Sequence, residues 1–392
     1  MQTFGANTRG NTTIYVAMCL LVSAANSMFN PVLSLFFNTE LNFSPLQISI
    51  FFMLLPIATI LIVQTVARFS DIGLQRPAII CIASLFGVAS SYMLYLRPSF
   101  IVLCTIGLLL LGSYTVSFPQ IYASAREYAV KYLGGSLMFA TFMRSLASVS
   151  WVVGPPVAYG IAMGYSFNTL FLVTAISFAL ICVTSFFFLP SVLDKAAVDK
   201  SRHIKWWTNR SVLVLFASIG LMFTAFSSYI NTMPLYFTQE LKLDKDLPGY
   251  MLGLAAFIEI PLMFLAARIT KTFGIKYVIL VGGIALVIFL LLLLRPGDTN
   301  YYLIITFFAA LYIAFVATMG MVFFQELLPA IPGQATSLYI NASVSGQIAG
   351  GGLISLAESG SYTIVYMVGA AVCTVGILLL FFVKKPDSVS YS

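Results

Sequence analysis

Charge is what this chain has least of. Asp, Glu, Lys and Arg together make up 8% of its 392 residues, against about a quarter in a soluble globular domain. That is too little polar surface to face water on all sides, so a soluble domain is excluded and lipid is the implied solvent. Histidine occurs once, as His203 in a basic stretch, which excludes a His-based metal site. The five cysteines, Cys19, Cys81, Cys104, Cys182 and Cys373, are scattered through apolar runs without a Cys-x-x-Cys pair. Neither a zinc site nor a disulfide framework follows from that spacing. No Gly-x-x-x-x-Gly-Lys-Ser/Thr sequence is present, so no phosphate-cradling loop for ATP is expected. Paired mid-span carboxylates and nucleophile–base sets are missing as well. The expectation is a protein with no cofactor, no metal and no catalytic residues, so not an enzyme.

What the chain does have is long apolar runs. Hydrophobic residues make up 60% of it. A membrane-crossing helix needs about 20 mostly apolar residues, and twelve stretches qualify: near 13–37, 46–67, 78–96, 100–122, 137–163, 168–189, 212–238, 248–270, 277–294, 301–324, 335–357 and 362–383. None alternates in polarity as barrel strands do. Backbone groups in lipid must bond within the segment, which makes these runs helices. The first lacks a basic lead-in and a small-residue cleavage site, so it reads as a span rather than a removable leader.

Between 190 and 211 the composition changes, with Asp194, Lys195, Asp199, Lys200, Arg202, His203, Lys205 and Arg210 crowded together. The expected organisation is a six-helix half over 1–190, a basic linker over 191–210 and a second six-helix half over 211–392. The halves match at nearly constant offset. Leu35-Phe36-Phe37-Asn38-Thr39-Glu40-Leu41 resembles Leu235-Tyr236-Phe237-Thr238-Gln239-Glu240-Leu241, and Leu96-Arg97-Pro98 recurs as Leu294-Arg295-Pro296. Parallel six-helix repeats suit a carrier whose halves rock around a central site. The net charge of +7 does not point to nucleic acid, because no basic stripe with interleaved aromatics exists. With the N-terminus inside, fifteen of the Lys and Arg residues fall in inside segments and only Arg97, Lys242, Lys245 and Arg295 outside. That bias predicts cytoplasmic termini and a cytoplasmic central loop.

Ionisable groups deep in a span are costly and usually face a cavity or a partner. Arg144, about nine residues into the fifth run, and Glu259, about eleven into the eighth, lie at similar depth. Both are candidates for substrate binding and proton coupling. The alternative is a structural ion pair. Large amides come next. Asn26 and Asn30, with Ser23, Ser27 and Ser34, mark the first run. Asn231, with Gly220, Thr224 and Ser227, marks the seventh. Asn341 and Gln347 lie in the eleventh, and Gln120, with Ser113 and Ser117, in the fourth. Such stripes suit hydrogen bonding to a polar, neutral solute, and equally suit helix–helix hydrogen bonds. Trp151 follows Arg144 at seven residues, on the same helical face, where an aromatic ring can hold a sugar.

These residues resemble a family. Two six-helix halves around a basic loop resemble the major facilitator superfamily, whose signature between its second and third helices runs roughly Gly-x-x-x-Asp-Arg-x-Gly-Arg-Lys. Here Ala67 to Arg76 keeps Asp71 and the basic end in Arg76, with Ala67 for the first Gly and Ile72 for the Arg. The counterpart, Lys271 to Lys276, keeps Gly274 and lacks the acid. The resemblance implies that this loop latches the transport cycle, with Asp71, Arg76, Lys271 and Gly274 as its residues. Ser150 to Pro156 resembles the Gly-x-x-x-Gly-Pro motif of exporters in the superfamily, which implies a gating role for Gly154 and Pro155. Ala125-Arg126-Glu127-Tyr128-Ala129, Met138-Phe139 and Met143-Arg144 resemble the bacterial sugar efflux transporters, and this places Arg126 and Glu127 with the latch. The implied fold is all-α, twelve transmembrane helices in two pseudo-symmetric bundles. The implied activity is proton-coupled export of lactose-, glucose- or thiogalactoside-like sugars from a bacterial inner membrane by a monomer. A multidrug or hydrophobic-metabolite exporter of the same fold is the alternative, and a non-transporting sensor or scaffold is the alternative of another class.

Overall fold

The computed structural model describes residues 4–71, 75–132, 137–190, 206–329 and 332–384. The long helical runs are α1 (Gly10–Thr39), α2 (Pro45–Asp71), α3 (Arg76–Tyr95), α4 (Phe100–Ala129), α5 (Leu137–Gly164), α6 (Phe167–Phe188), α7 (Arg210–Glu240), α8 (Leu247–Phe273), α9 (Ile275–Leu293), α10 (Thr299–Leu327), α11 (Pro332–Leu353) and α12 (Thr363–Phe381). Of the linker expected over 191–210, residues 191–205 lie outside the described residues, and Trp206–Thr208 form a 3-10 turn.

Among the described residues, eleven helices are long and apolar enough to cross a membrane. The run that differs from expectation is α11. It has the length but carries Gln334, Thr336, Ser337, Asn341, Ser343, Ser345 and Gln347. A helix that polar crosses lipid only when its polar side is covered by neighbouring helices. Several helices also outrun the apolar windows that predict them. The run expected to stop near 122 stays helical to Tyr132, through the polar stretch that holds Glu127.

Helix ends and breaks follow local chemistry. Ser166, Asn209 and Asp298 cap α6, α7 and α10 by accepting backbone N–H bonds from Thr169, from Ser211 and Val212, and from Tyr301, which meets the orphan donors of a first turn. Pro31 sits in a short 3-10 break, Asn30–Val32, inside α1. Proline supplies no N–H for the α-helical ladder there. Looser five-residue turns interrupt α4 at Leu103–Gly107, end α7 at Tyr236–Glu240 and interrupt α10 at Ile313–Ala317.

The chain divides into two compact units. One comprises 1–43, 54–197 and 248–253; the other comprises 44–53, 198–247 and 254–392. In the first unit α1 packs on α4, α5 and α6, and α3 packs on α6. In the second, α7 packs on α10, α11 and α12, and α9 packs on α12. The same pairing scheme thus appears twice. The duplication extends to turn geometry. Asn42 and Lys242, 200 residues apart, both adopt left-handed backbone at φ 54. Phe43 N–H donates to Phe37 C=O and Leu243 N–H to Phe237 C=O, each at 2.9 Å.

Each unit includes a short helical segment from beyond its main stretch of chain. In the first unit, Pro248–Gly253 of α8 lies against α5, with Gly249 facing Pro155 and Tyr159, and Gly253 facing Val152 and Pro156. In the second, residues 44–53 of α2 lie against α11 and the turn after it. There Ser49 Oγ donates to Gly352 C=O at 3.2 Å. Leu46 N–H donates to Glu358 Oε2 at 2.9 Å.

Candidate functional site

In the first unit the polar face of α1 meets aromatic side chains of α4. Asn30 stands at the 3-10 break, where its Oδ1 accepts a hydrogen bond from Tyr114 at 2.8 Å. Its Nδ2 donates to Asn26 C=O at 3.3 Å, and Asn26 Nδ2 donates to Val22 C=O at 2.8 Å. Both amides therefore spend a donor on the preceding turn. Tyr159 of α5 donates to Pro31 C=O at 2.7 Å, which holds the break. One turn before Asn26, Ser23 Oγ lies 3.3 Å from the Tyr122 hydroxyl. Phe118 and Tyr122 pack ring on ring at 4.9 Å, and both are half-buried. A hydroxyl, an amide and two aromatic faces are what a pyranose ring needs: hydrogen bonds at its edge and apolar contact on its face.

α1 and α5 approach closely because Gly154 has no side chain. Ser27 Oγ occupies the space a Cβ would need, and it donates to Ser150 C=O at 2.9 Å. This is the local reason for a glycine at that point of the Gly-Pro segment. Pro155 beside it is buried, and Trp151 is 36% exposed. Arg144 lies on α5, and its side chain is outside the described residues.

A second cluster lies where α3 begins. Arg76 Nε donates to both oxygens of Glu127 at 2.8 Å, and Nη2 donates to Glu127 Oε1 at 2.6 Å. Nη1 donates to Gln120 Oε1 at 2.8 Å. The guanidinium fork is thus shared between a carboxylate and an amide two helical turns apart on α4. A charge-assisted, multi-point link of this kind is stronger than a neutral hydrogen bond. The pair is only 19% and 27% exposed, so water screens it less than a surface ion pair. Gln120, read from sequence as a solute ligand, directs its carbonyl oxygen into this latch cluster. Asp71 ends α2 and Arg126 lies on α4; both side chains fall outside the described residues. In the second unit Lys271 is exposed, and Gly274 joins α8 to α9 at φ 84, a backbone conformation open mainly to glycine.

The remaining polar candidates lie in the second unit. Asn231 Nδ2 donates to Ser227 Oγ at 3.4 Å on α7. Asn341 and Gln347 are half-buried on α11, as is Glu259 on α8. Phe223 and Phe226 of α7 pack against Tyr312 of α10 at 6.2 and 4.9 Å. Tyr339 of α11 donates to Ala317 C=O in the loose turn of α10. Sequence reasoning did not single out Tyr114, Phe118, Tyr122 or Tyr312. Aromatics inside apolar runs are commonly packing residues, and only the facing Ser23 and Asn30 distinguish Tyr122 and Tyr114.

Among the described residues, twelve long helices in two units with one pairing scheme define a multi-pass helical membrane protein of duplicated design. The family model for the Major Facilitator Superfamily matches residues 16–351 and again 215–391. Sugar efflux transporter A of Dickeya chrysanthemi is 33% identical over 92% of this chain and 94% of its own. Sugar efflux transporter A of Escherichia coli (strain K12) is 31% identical over 98% and 99%. The chain belongs to the Major Facilitator Superfamily, within the family of the bacterial sugar efflux transporters. Among solved structures, the nucleoside transporter NupG superposes with a TM-score of 0.81 over 96% of this chain and 99% of that one, at 15% identity, a likeness of fold alone.

Proposed function

We propose that the protein exports sugars across a bacterial inner membrane by alternating access, in exchange for protons. The observation that carries this reading is the meeting of α1 and α4, where Ser23 faces Tyr122, beside Phe118, and Asn30 faces Tyr114. The names of the relatives support the substrate class. Lactose-, glucose- and thiogalactoside-like sugars are the proposed solutes, and the protein works as a monomer without cofactor or catalysis. The proposed transporting body is two halves, 1–190 and 211–392, joined by the cytoplasmic linker 191–210, with both termini cytoplasmic.

In this reading Asn26, Asn30, Arg144 and Trp151 from one half and Asn231, Glu259, Asn341 and Gln347 from the other contact the solute. Gln120 serves the same face of α4 while anchoring Arg76. Glu259 carries the proton and Arg144 couples to it, because a carboxylate releases its proton more readily when a cation comes near. Asp71, Arg76, Arg126, Glu127, Gly154, Pro155, Lys271 and Gly274 control the change of state.

The test is uptake of radiolabelled lactose into inside-out vesicles with the lumen acidic. Proton-coupled export predicts gradient-dependent accumulation, abolished by Arg144→Ala with insertion intact. Uptake that ignores the gradient refutes coupling. Normal transport by Arg144→Ala refutes the site. If neither lactose, glucose nor a thiogalactoside accumulates while a lipophilic cation does, the multidrug alternative replaces this reading.

A further inference from the structure

The cysteines are not interchangeable. None of the five has a cysteine neighbour in sequence, yet the structure brings Cys81 of α3 and Cys182 of α6 together with their Sγ atoms 2.8 Å apart, well inside ordinary sulfur–sulfur contact. Their register is pinned on both sides. Ser185 Oγ donates to Pro77 C=O at 2.7 Å on one side of the thiols. Ser91 Oγ lies 3.1 Å from Thr174 Oγ1 on the other. Hydrogen bonds that bracket the thiols along an antiparallel seam keep the two sulfurs from drifting apart.

Both thiols are half-exposed, and their flanks face outward: Ile82 is 55% exposed, Leu180 52% and Val183 50%. In a membrane-spanning pair of helices that surface meets lipid. Position therefore decides the redox chemistry. Thiols in a cell's interior are kept reduced by glutathione and thioredoxin, but a charged tripeptide and a protein do not enter hydrocarbon, where charge is strongly disfavoured. Hydrogen peroxide is small and neutral, and it reaches this depth.

We propose that Cys81 and Cys182 form an oxidisable dithiol inside the bilayer, and that its disulfide form ties α3 to α6. The oxidant is hydrogen peroxide. The sulfur of one thiol attacks a peroxide oxygen as the O–O bond breaks, and its proton passes to the departing hydroxyl, so a sulfenic acid and one water form without a free charge. The second thiol sulfur attacks that sulfenic sulfur, its proton leaves with the displaced hydroxyl as a second water, and the disulfide forms. Two thiols and one peroxide thus become one disulfide and two waters. Closing the present gap to about 2.05 Å needs less than about 1 Å of sulfur movement, within the reach of side-chain rotation. α3 carries Arg76 at its first turn, so the tie anchors the helix on which the Glu127–Gln120 cluster depends.

The experiment uses the full-length protein in native membrane vesicles. After treatment with hydrogen peroxide the protein is denatured in detergent and its thiols are counted by maleimide mass shift. Wild type should fall from five free thiols to three, with a peptide spanning the Cys81–Cys182 link. Cys81→Ser should lose none of its four, while Cys104→Ser should lose two. A lipid-permeable phosphine should restore the wild-type count. Oxidation should also raise the thermal midpoint of wild type and leave Cys81→Ser unmoved. Retention of all five wild-type thiols, or the same loss in Cys81→Ser, overturns the site. A linked peptide without any rise in midpoint overturns the tie.

Discussion

The first turns of α8 offer a sharp test of packing. A Cβ built on Gly253 would lie 2.6 Å from Val152 C=O and 2.6 Å from Pro156 Cγ. Neither atom yields easily, since one is backbone and the other belongs to a ring fused to the backbone. Gly253→Ala therefore pushes α8 off α5. Overpacking of this kind costs about 1–3 kcal/mol, offset by about 1 kcal/mol because alanine favours helix over glycine. Gly253→Val adds two more methyl groups with a smaller helical gain, so its net cost sits near the top of that range or above it. A penalty of about 1.4 kcal/mol shifts the folded-to-unfolded ratio about tenfold. Purified Gly253→Ala and Gly253→Val should melt progressively lower, by roughly 2–4 °C per kcal/mol for a unit of 150–250 residues, and vesicle flux should fall in the same order. Gly160 supplies the control on α5, because nothing lies within 4 Å of a Cβ built there. Gly160→Ala should melt no lower than wild type, and up to a few degrees higher from the helical gain of about 1 kcal/mol, and should transport as wild type. If Gly253→Val also behaves as wild type, α8 and α5 do not touch through these backbones and the reasoning fails.

Arg76→Ala leaves Glu127 and Gln120 without their shared donor and should cost about 1–3 kcal/mol; Arg76→Lys, which keeps the charge and loses the fork, should recover only part of it in thermal melts. A double-mutant cycle with Glu127→Ala should return a coupling above about 0.5 kcal/mol, and a coupling of zero would rule out the pair. In the turn before α8, burial and the neighbouring Asp244 raise the Asp246 carboxyl above its ordinary value of 3.8. A folded value above the unfolded one favours the folded state in acid, and that contribution is lost as pH rises through the raised value. Asp246→Asn should therefore flatten the loss of stability on raising pH from about 4 towards neutrality, and identical melting profiles for the two proteins would refute the assignment. The repeat makes a further contrast. Glu240 accepts from Tyr362 N–H at 2.7 Å and from the Ser361 and Thr363 hydroxyls at 2.8 Å each, whereas its counterpart Glu40 pairs with Arg97 across a surface 32% and 47% exposed. Glu240→Ala should cost about 1–2 kcal/mol as a lost helix-end partner, and Glu40→Ala no more than about 1 kcal/mol, both read by melting.

Much of the fold was legible because lipid imposes a simple rule. Runs of about 20 apolar residues become helices, and the turn at Glu40–Leu41 recurs at Glu240–Leu241 with the same hydrogen bonds. The helix α11 was read as an ordinary span, and its polar side chains show where that rule weakens. The site was less legible. Hydrophobic periodicity says that Gln120 lies on one face of α4, but only the fold says that Arg76 reaches it. Tyr122 carries no signal in sequence because its meaning comes from Ser23, 99 residues away. Arg76 and Glu127 were found through family likeness in separate motifs, and their direct contact appears only in three dimensions.

The loose turns of α4 and α10 bear on how a duplicated carrier comes to have two different halves. Each such turn is an α-helix holding one residue too many. In α4 the extra residue falls early, at Leu103–Gly107, and in α10 it falls late, at Ile313–Ala317. For the stretch between, the two helices run one residue out of phase, which rotates one relative to the other by about 100° at 3.6 residues per turn. Side chains that align along the chain then point in different directions. Two copies of one ancestral helix can in this way present unlike faces without any change in their amino acids, and substitutions that appear matched in the aligned repeats act on different neighbours in each.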